Sequence, residues 1–345
     1  MKKAGRVGIV TGTATNIDSL IAAVRAGDRK ALARAITLVE STRMRDRAQA
    51  EALLTRLLPF AGKALRIGIS GAPGAGKSTF IEAFGEHVAG LGKGIAVLAV
   101  DPSSRRSGGS ILGDKSRMTV LARNRAAFIR PTPAGTTSGG VARRTRETML
   151  LAEAAGFDVV AVETVGVGQA ETAIAEMVDL FLLLIGPGSG DDLQGIKRGA
   201  MELADVVIIT KADGDLAQAG TRALADCRAA LSLIRPKHPG IAVEIFKTSA
   251  MTGEGIAEVW SAVQQTWTHM SGKGILQGLR HEQARAWFWN EVRAVLAEAI
   301  ETDPDIGPHA TALEAAVLAG KALPNVSARA LIQAFRGVDG KGAPP

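Results

Sequence analysis

The sequence predicts an α/β protein built on a mainly parallel, doubly wound sheet, with a helical extension before the sheet and a helical arm after it. Two observations carry this reading. Between about residues 63 and 266, short apolar runs alternate with Gly- or Asp-rich turns and helical patterns, an order that winds helices over both faces of a parallel sheet. On either side of that stretch the apolar spacing is helical only. The expected segments are therefore 1–62, 63–266 and 267–345.

In chain order, residues 17 to about 58 carry helix punctuation, with Asp18 and Asp28 as candidate caps and Gly27 as a stop. Pro59 and Gly62 close this extension. The strands expected next are Leu65–Ser70, Ile95–Val100, Val159–Glu163, Leu180–Ile185, Val206–Thr210 and Val243–Thr248. Ligands of such sheets bind beyond the carboxyl ends of the strands, which is where the polar motifs fall. After Gly272-Lys273-Gly274, the residues Leu279, Ala286, Trp289, Val292, Leu296 and Ile300 share one helical face. Two further helices are expected near 309–322 and 327–336, separated by Pro324, and Gly337 to Pro345 reads as an unstructured tail.

Composition narrows the function classes. In 345 residues, 46% are apolar and 22% charged, the balance of a globular protein with a sizeable core. A net charge of +7 raises nucleic acid or an anionic membrane as partners. Because the basic residues are interspersed with Asp and Glu, solvated surface and acidic small ligands account for the excess, and neither partner is expected. Cys227 stands alone, which excludes an intrachain disulfide and fits a reducing compartment. Met1-Lys2-Lys3 is followed by Val7 to Val10 and then Thr11-Gly12-Thr13, not by the apolar run of an export signal. Leu180 to Ile185, the longest apolar stretch, is too short to span a bilayer, so the expected location is the cytoplasm.

The chemistry concentrates in five strings. Gly71-Ala72-Pro73-Gly74-Ala75-Gly76-Lys77-Ser78 lies between an expected strand and an expected helix that continues through Thr79, the setting of a phosphate-binding P-loop. Its glycines let backbone N–H groups converge on phosphate oxygens, Lys77 bridges the β- and γ-phosphates, and the Ser78 hydroxyl serves Mg²⁺. Asp101 and Glu163 close two strands at the same edge, and hard Mg²⁺ takes such oxygens, often through water. The alternative for Asp101 is a turn residue before Pro102. Gly166 follows Glu163 closely and is placed to offer its N–H to the γ-phosphate, so that hydrolysis releases its loop. Gln169 is a candidate for positioning the attacking water, although it stands three residues past Gly166.

Base choice rests on two shorter strings. Thr210-Lys211-Ala212-Asp213 resembles the guanine-reading Asn-Lys-x-Asp motif, with Thr in place of Asn. The Asp213 carboxylate accepts from guanine N1–H and N2–H₂, a donor pair adenine lacks, and the stem of Lys211 packs over the base. Thr248-Ser249-Ala250, followed by Met251, resembles the motif whose backbone meets guanine O6. Together they favour GTP and GDP over ATP.

These strings, with Glu163-Thr164-Val165-Gly166-Val167-Gly168-Gln169 and the run from Asp101-Pro102-Ser103-Ser104 to Gly113-Asp114-Lys115, resemble the methylmalonyl-CoA mutase-associated GTPases, the MeaB/ArgK family. The resemblance covers roughly residues 17 to 300. It implies a GTPase that acts as chaperone for an adenosylcobalamin-dependent acyl-CoA mutase, coupling nucleotide state to cofactor loading and to protection and reactivation of the mutase, and a homodimer formed through the C-terminal arm. It also marks switch residues: Asp114 and Lys115 in one loop, and Asp191, Gln194 and Lys197 in the run Gly186 to Lys197. A helix cap is the alternative for Asp191. Dispersed His residues with no metal-ligand spacing argue against nickel-inserting relatives of the fold. A P-loop kinase is the competing reading, yet no acceptor-binding Asp or Arg-paired lid requires one.

Overall fold

The computed structural model describes residues 17–101, 118–133, 140–164, 169–187, 198–238 and 240–339. The chain divides into two compact units, Met1–Arg280 and His281–Pro345.

The first unit is built on seven parallel strands: β1 (Leu65–Gly71), β2 (Ile95–Asp101), β3 (Ala127–Pro133), β4 (Val159–Thr164), β5 (Leu180–Ile185), β6 (Val206–Ile209) and β7 (Glu244–Lys247). Their order across the sheet is β3-β2-β4-β1-β5-β6-β7. Strands β4, β5 and β6 are buried along their whole length, which is why β5 and β6, and β4 as far as Val162, read as unbroken apolar runs and not as alternating ones. Strand β1 lies between β4 and β5, with Ile69 beside Glu163 and Gly71 beside Leu184. The P-loop thus leaves the sheet at its centre, flanked by the end of β4.

Six of the seven strands stand where the sequence places them; β3 was not expected. Its sequence, Ala127-Phe128-Ile129-Arg130-Pro131-Thr132-Pro133, carries two prolines that cannot donate to a ladder, the ordinary mark of a non-strand. The structure puts β3 at the sheet's edge, paired only with β2. Two residues apart, both proline nitrogens fall on one side of the strand, and an edge has an open side to receive them.

Helices cover both faces. On one face α1 (Ile17–Arg25), α2 (Arg29–Val39) and α3 (Met44–Leu57) pack with α5 (Gly140–Ala154) in a core containing Val24, Leu32, Ile36, Leu53, Leu151, Val160 and Phe181. Asp28 caps α2 as its position suggested, its carboxylate accepting from the N–H groups of Ala31 at 3.0 Å and Lys30 at 2.7 Å. Those two bonds hold the Asp28 carboxyl below its ordinary pKa. Asp18, by contrast, lies inside the first turn of α1. On the other face α4 (Lys77–Gly90) and α9 (Ile256–Gly272) bury Phe80, Phe84, Val259 and Trp260 against β1, β2 and β5. A third cluster, with Met201 of α7 (Arg198–Leu203) and Cys227 of α8 (Ala217–Leu231), covers β5 and β6.

At the amino edge of the sheet, a buried ionic bracket holds the root of α10 (Ile275–Thr302). The Arg280 guanidinium donates Nε to Asp179 Oδ1 at 2.9 Å and Nη2 to Asp179 Oδ2 at 2.6 Å, and it also reaches the carbonyls of Ala64 and Gly62. Asp179 Oδ2 accepts from Arg66 N as well, while Arg66 Nε pairs with the buried Glu153. Burial works against the charged Arg280, but the Asp179 hydrogen bonds and the Asp179 and Glu153 charges outweigh it and raise its pKa.

The second unit contains the rest of α10, α11 (Gly307–Leu318) and α12 (Pro324–Asp339). Pro324 opens α12 instead of merely separating two helices, a position where its missing N–H costs nothing. Residues 337–339, expected in the tail, are helical; 340–345 lie outside the described residues. Among the described residues no helix is long and apolar enough to cross a membrane.

Candidate nucleotide site

The phosphate loop is built by backbone demands that only its sequence meets. Gly71, the last residue of β1, passes so close to β5 that a Cβ there would sit 2.3 Å from the carbonyl oxygen of Leu184. Gly76 caps α4 in the left-handed conformation, φ 83°, which L side chains rarely adopt. These two glycines bend the chain so that the first N–H groups of α4 face the loop's interior, the arrangement that collects anions. Lys77, nearly buried at 9% exposure, donates from Nζ to Gly71 O at 2.7 Å and Ala72 O at 3.1 Å. Its amine is thus held across the mouth of the loop.

Beside it lies a donor set of oxygens. Ser78 Oγ donates to Glu163 Oε1 at 3.3 Å, and Glu163 is 4% exposed at the end of β4. A serine hydroxyl and a carboxylate at this spacing suit a hard octahedral cation such as Mg²⁺ and not a soft metal. Asp101 is the last residue of β2, as its sequence position implied, and its side chain lies outside the described residues. Among the described residues no cluster of three or more His, Cys, Asp or Glu side chains has metal-binding geometry.

The strings Thr210 to Asp213 and Thr248 to Ala250 are stitched to the loop and to each other. Thr210, 3% exposed at the end of β6, donates its hydroxyl to Ala75 O at 2.6 Å, with Ile185 O at 3.2 Å as a weaker second acceptor. Lys211 is the only described non-glycine residue with positive φ, 51°, and its exposed side chain lies along the loop, with Nζ bonded to Gly74 O at 2.9 Å. Such a backbone costs on the order of 1–3 kcal/mol and persists where surrounding structure imposes it. Ala212 N donates to Thr248 O at 3.0 Å, so the strings after β6 and β7 form one wall. Ser249 is buried and accepts from Thr252 N at 3.2 Å. Asp213 and Ala250 are partly exposed beside it, and Met251 projects outward, 82% exposed.

The structure therefore brings Gly71 to Ser78, Glu163, Lys211, Asp213, Ser249 and Ala250 to one edge of the sheet. Thr79 follows in the first turn of α4. Gln169 opens α6 (Gln169–Ala175), its side chain outside the described residues. Gly166, Asp114, Lys115, Asp191, Gln194 and Lys197 also lie outside the described residues. Three groups escaped sequence reasoning: Ser70, Thr164 and Glu171, which form a buried hydrogen-bonded group joining β1, β4 and α6. Nothing in their spacing marked them, since they lie in three separate elements.

A family model described as methylmalonyl Co-A mutase-associated GTPase MeaB matches residues 32–305. The chain belongs to the MeaB family of GTPases. Relatives include a putative GTPase of Caulobacter vibrioides, 51% identical over 322 residues, which cover 93% of this chain and 98% of the relative. The mouse mitochondrial methylmalonic aciduria type A homolog is 45% identical over 330 residues, covering 93% of this chain and 80% of the relative. Among solved structures, a LAO/AO transport system kinase is 38% identical with a TM-score of 0.74, over 93% of this chain and 97% of that one. As a MeaB-family member the chain binds guanine nucleotide and hydrolyses GTP.

Proposed function

We propose that this GTPase is a chaperone of an adenosylcobalamin-dependent acyl-CoA mutase of the methylmalonyl-CoA type, coupling GTP hydrolysis to protection and cofactor loading of that enzyme. The observation that carries the reading is the family match over residues 32–305, whose description names association with methylmalonyl-CoA mutase. The mouse relative, named for methylmalonic aciduria, supports it.

In this mechanism Lys77 exchanges the carbonyls of Gly71 and Ala72 for β- and γ-phosphate oxygens, and the P-loop N–H groups stabilise charge developing on the transferred phosphoryl group. Ser78, Glu163 and Asp101 would hold Mg²⁺, which would neutralise phosphate charge. Asp213 reads guanine through its carboxylate, Ser249, Ala250 and Met251 face the base with their backbone, and Lys211 covers it. Gly166 senses the γ-phosphate, Gln169 orients the attacking water, and the segments holding Asp114, Lys115, Asp191, Gln194 and Lys197 carry nucleotide state to the mutase. The second unit presents Phe288, Trp289 and Leu296, at least half exposed, in a single helix. Such a surface supports pairing of two copies into a homodimer. The protein acts in the cytoplasm.

The test measures phosphate release from GTP and ATP with Mg²⁺ or with chelator, with and without the co-purified mutase. GTP-selective, Mg²⁺-dependent release that the mutase alters is the expected result. Release indifferent to the mutase counts against the chaperone reading, and transfer of phosphate to a protein or small-molecule acceptor would establish a kinase instead.

A further inference from the structure

Aromatic side chains are scarce in this chain, which has nine Phe, four Trp and no Tyr. Four of them nevertheless converge on one cavity of about 480 Å³, lined also by Leu65 and Val159, the first residues of β1 and β4. Phe60 comes from the turn after α3 and Phe157 from the turn before β4. Trp260 and Trp267 come from α9, where with Gln264 they stand at i, i+4 and i+7 on one helical face. The volume falls within the range of small-molecule sites, roughly 300–1,000 Å³. Leu65 and Gly71 are the two ends of β1, about 20 Å apart at about 3.3 Å per residue, so the cavity lies at the opposite edge of the sheet from the phosphate loop.

Two observations distinguish this cavity from a mere gap between elements. The first is a pair of bare donors. The Nε1 atoms of Trp260, 4% exposed, and of Trp267 are buried and have no hydrogen-bond partner. A buried indole N–H ordinarily has an acceptor, and both that lack one belong to the wall of this cavity. The second is charge. Arg25, Lys63 and Lys93 also line it, and among the described residues no carboxylate pairs with any of the three. The guanidinium carbon of Arg25 stands 3.6 Å from the centroid of the Phe60 ring, a stacking that leaves the N–H groups at its rim for an acceptor. The carboxylates nearby are engaged elsewhere. Glu153 accepts from Arg66 Nε at 2.5 Å and from Gly62 N, and Asp158 Oδ2 accepts from Gly94 N at 2.7 Å. A positive rim therefore borders an aromatic wall. A small inorganic anion would leave the rings uncovered, and a neutral arene would leave the cations unpaired.

We propose that this cavity is a second ligand site, for a small organic anion with a flat aromatic body: its rings lie against Phe157 and Trp267, and its anionic group accepts from Arg25 and Lys93. Because the site and the phosphate loop lie at opposite edges of the sheet, such a ligand does not compete with nucleotide.

The experiment titrates the full chain calorimetrically with 2-naphthalenesulfonate, with the neutral 2-naphthalenemethanol and with methanesulfonate, which has the anion and no rings. Submillimolar binding of 2-naphthalenesulfonate is expected, with the two part-analogues at least about tenfold weaker, since each forgoes one half of the site. Arg25→Gln and Lys93→Gln should each raise the Kd of the sulfonate by about fivefold, the loss of one charge-assisted contact, and leave that of the neutral arene within about twofold. Trp267→Ala should weaken both arenes. If Trp267→Ala fails to fold, Phe60→Ala, at a side chain already 37% exposed, carries the same expectation. GDP at a concentration that fills the nucleotide site leaves the sulfonate Kd within about twofold. The proposal is overturned if the wild-type chain does not bind the sulfonate, or if methanesulfonate binds as well. It is equally overturned if the Arg25, Lys93 and aromatic variants bind the sulfonate like wild type, or if GDP displaces it, which would place it in the nucleotide site.

Discussion

Replacing Thr210 by Val keeps the shape of the side chain and removes one hydroxyl, and the structure fixes what that hydroxyl does. Ile185 O retains the backbone bond from Thr210 N at 2.9 Å, so it loses little. Ala75 O loses the 2.6 Å donor and is left in a residue 3% exposed. An orphaned buried acceptor costs about 1–3 kcal/mol. With an unfolding entropy of about 2.1 cal/mol/K per residue, the 345-residue chain has about 0.7 kcal/mol/K, so the expected fall in Tm is about 1.5–4 °C. Because the lost bond joins the phosphate loop to the wall proposed to hold guanine, part of the cost falls on the bound state. GDP affinity should therefore weaken by about fivefold to tenfold, each 1.4 kcal/mol being about a factor of ten. Thermal melting and fluorescent-GDP titration measure both quantities. Thr210→Ser, which keeps the hydroxyl and loses one methyl, costs about 1 kcal/mol or less and leaves affinity near wild type. If Thr210→Val matches wild type in both Tm and Kd, the joint between P-loop and base wall carries no energy and the reasoning fails.

Lys77→Ala should lower kcat/KM for GTP by about 10²–10³-fold, read by phosphate release, because the amine proposed to bridge the phosphates is gone. Arg280→Ala should destabilise the fold by about 3–5 kcal/mol in denaturant titration, since Asp179, fully buried, loses its ion-pair partner. Arg280→Lys, which retains a cation but not the two-pronged geometry, should lose less. Cys227 is fully buried, and burial followed by the nearby Asp226 charge pushes its thiol up to about 11. The thiol should resist a disulfide reagent at pH 8 and react once the chain is unfolded. The raised folded pKa also gives a stability contribution that is complete below the unfolded value of 9.0 and lost as pH rises from there toward 11, which melts at stepped alkaline pH will show.

Much of this fold was legible because local and global signals agree. Leu180 to Ile185 reads as a buried strand and is one, and Gly71 to Ser78 announces its strand, loop and helix together. Strand β3 was illegible because Pro131 and Pro133 are forbidden in most strands and tolerated only where an edge is available, and edge position belongs to the assembled sheet. The site divides in the same way. Lys77, Ser78 and Glu163 lie in strings whose spacing states their chemistry. The departure of Thr210 from Asn was visible, but its acceptor, Ala75 O, is 135 residues away. The Arg280–Asp179 pair spans 101 positions, as does Ser70 to Glu171. Such pairs leave no local period, and only the folded chain brings them together.

The two prolines of β3 have a further consequence, for what the sheet cannot do. An exposed edge of unpaired N–H and C=O groups is a template on which another chain can add a strand, the first step of aggregation. Here one rim lacks donors at Pro131 and Pro133, and the opposite rim, β7, is four residues long with the exposed Glu244 and Lys247 at its ends. Neither offers an intruding strand a continuous ladder. The sheet is thus guarded against self-templating by its two outermost strands, which leaves its central strands free to be as apolar as packing requires.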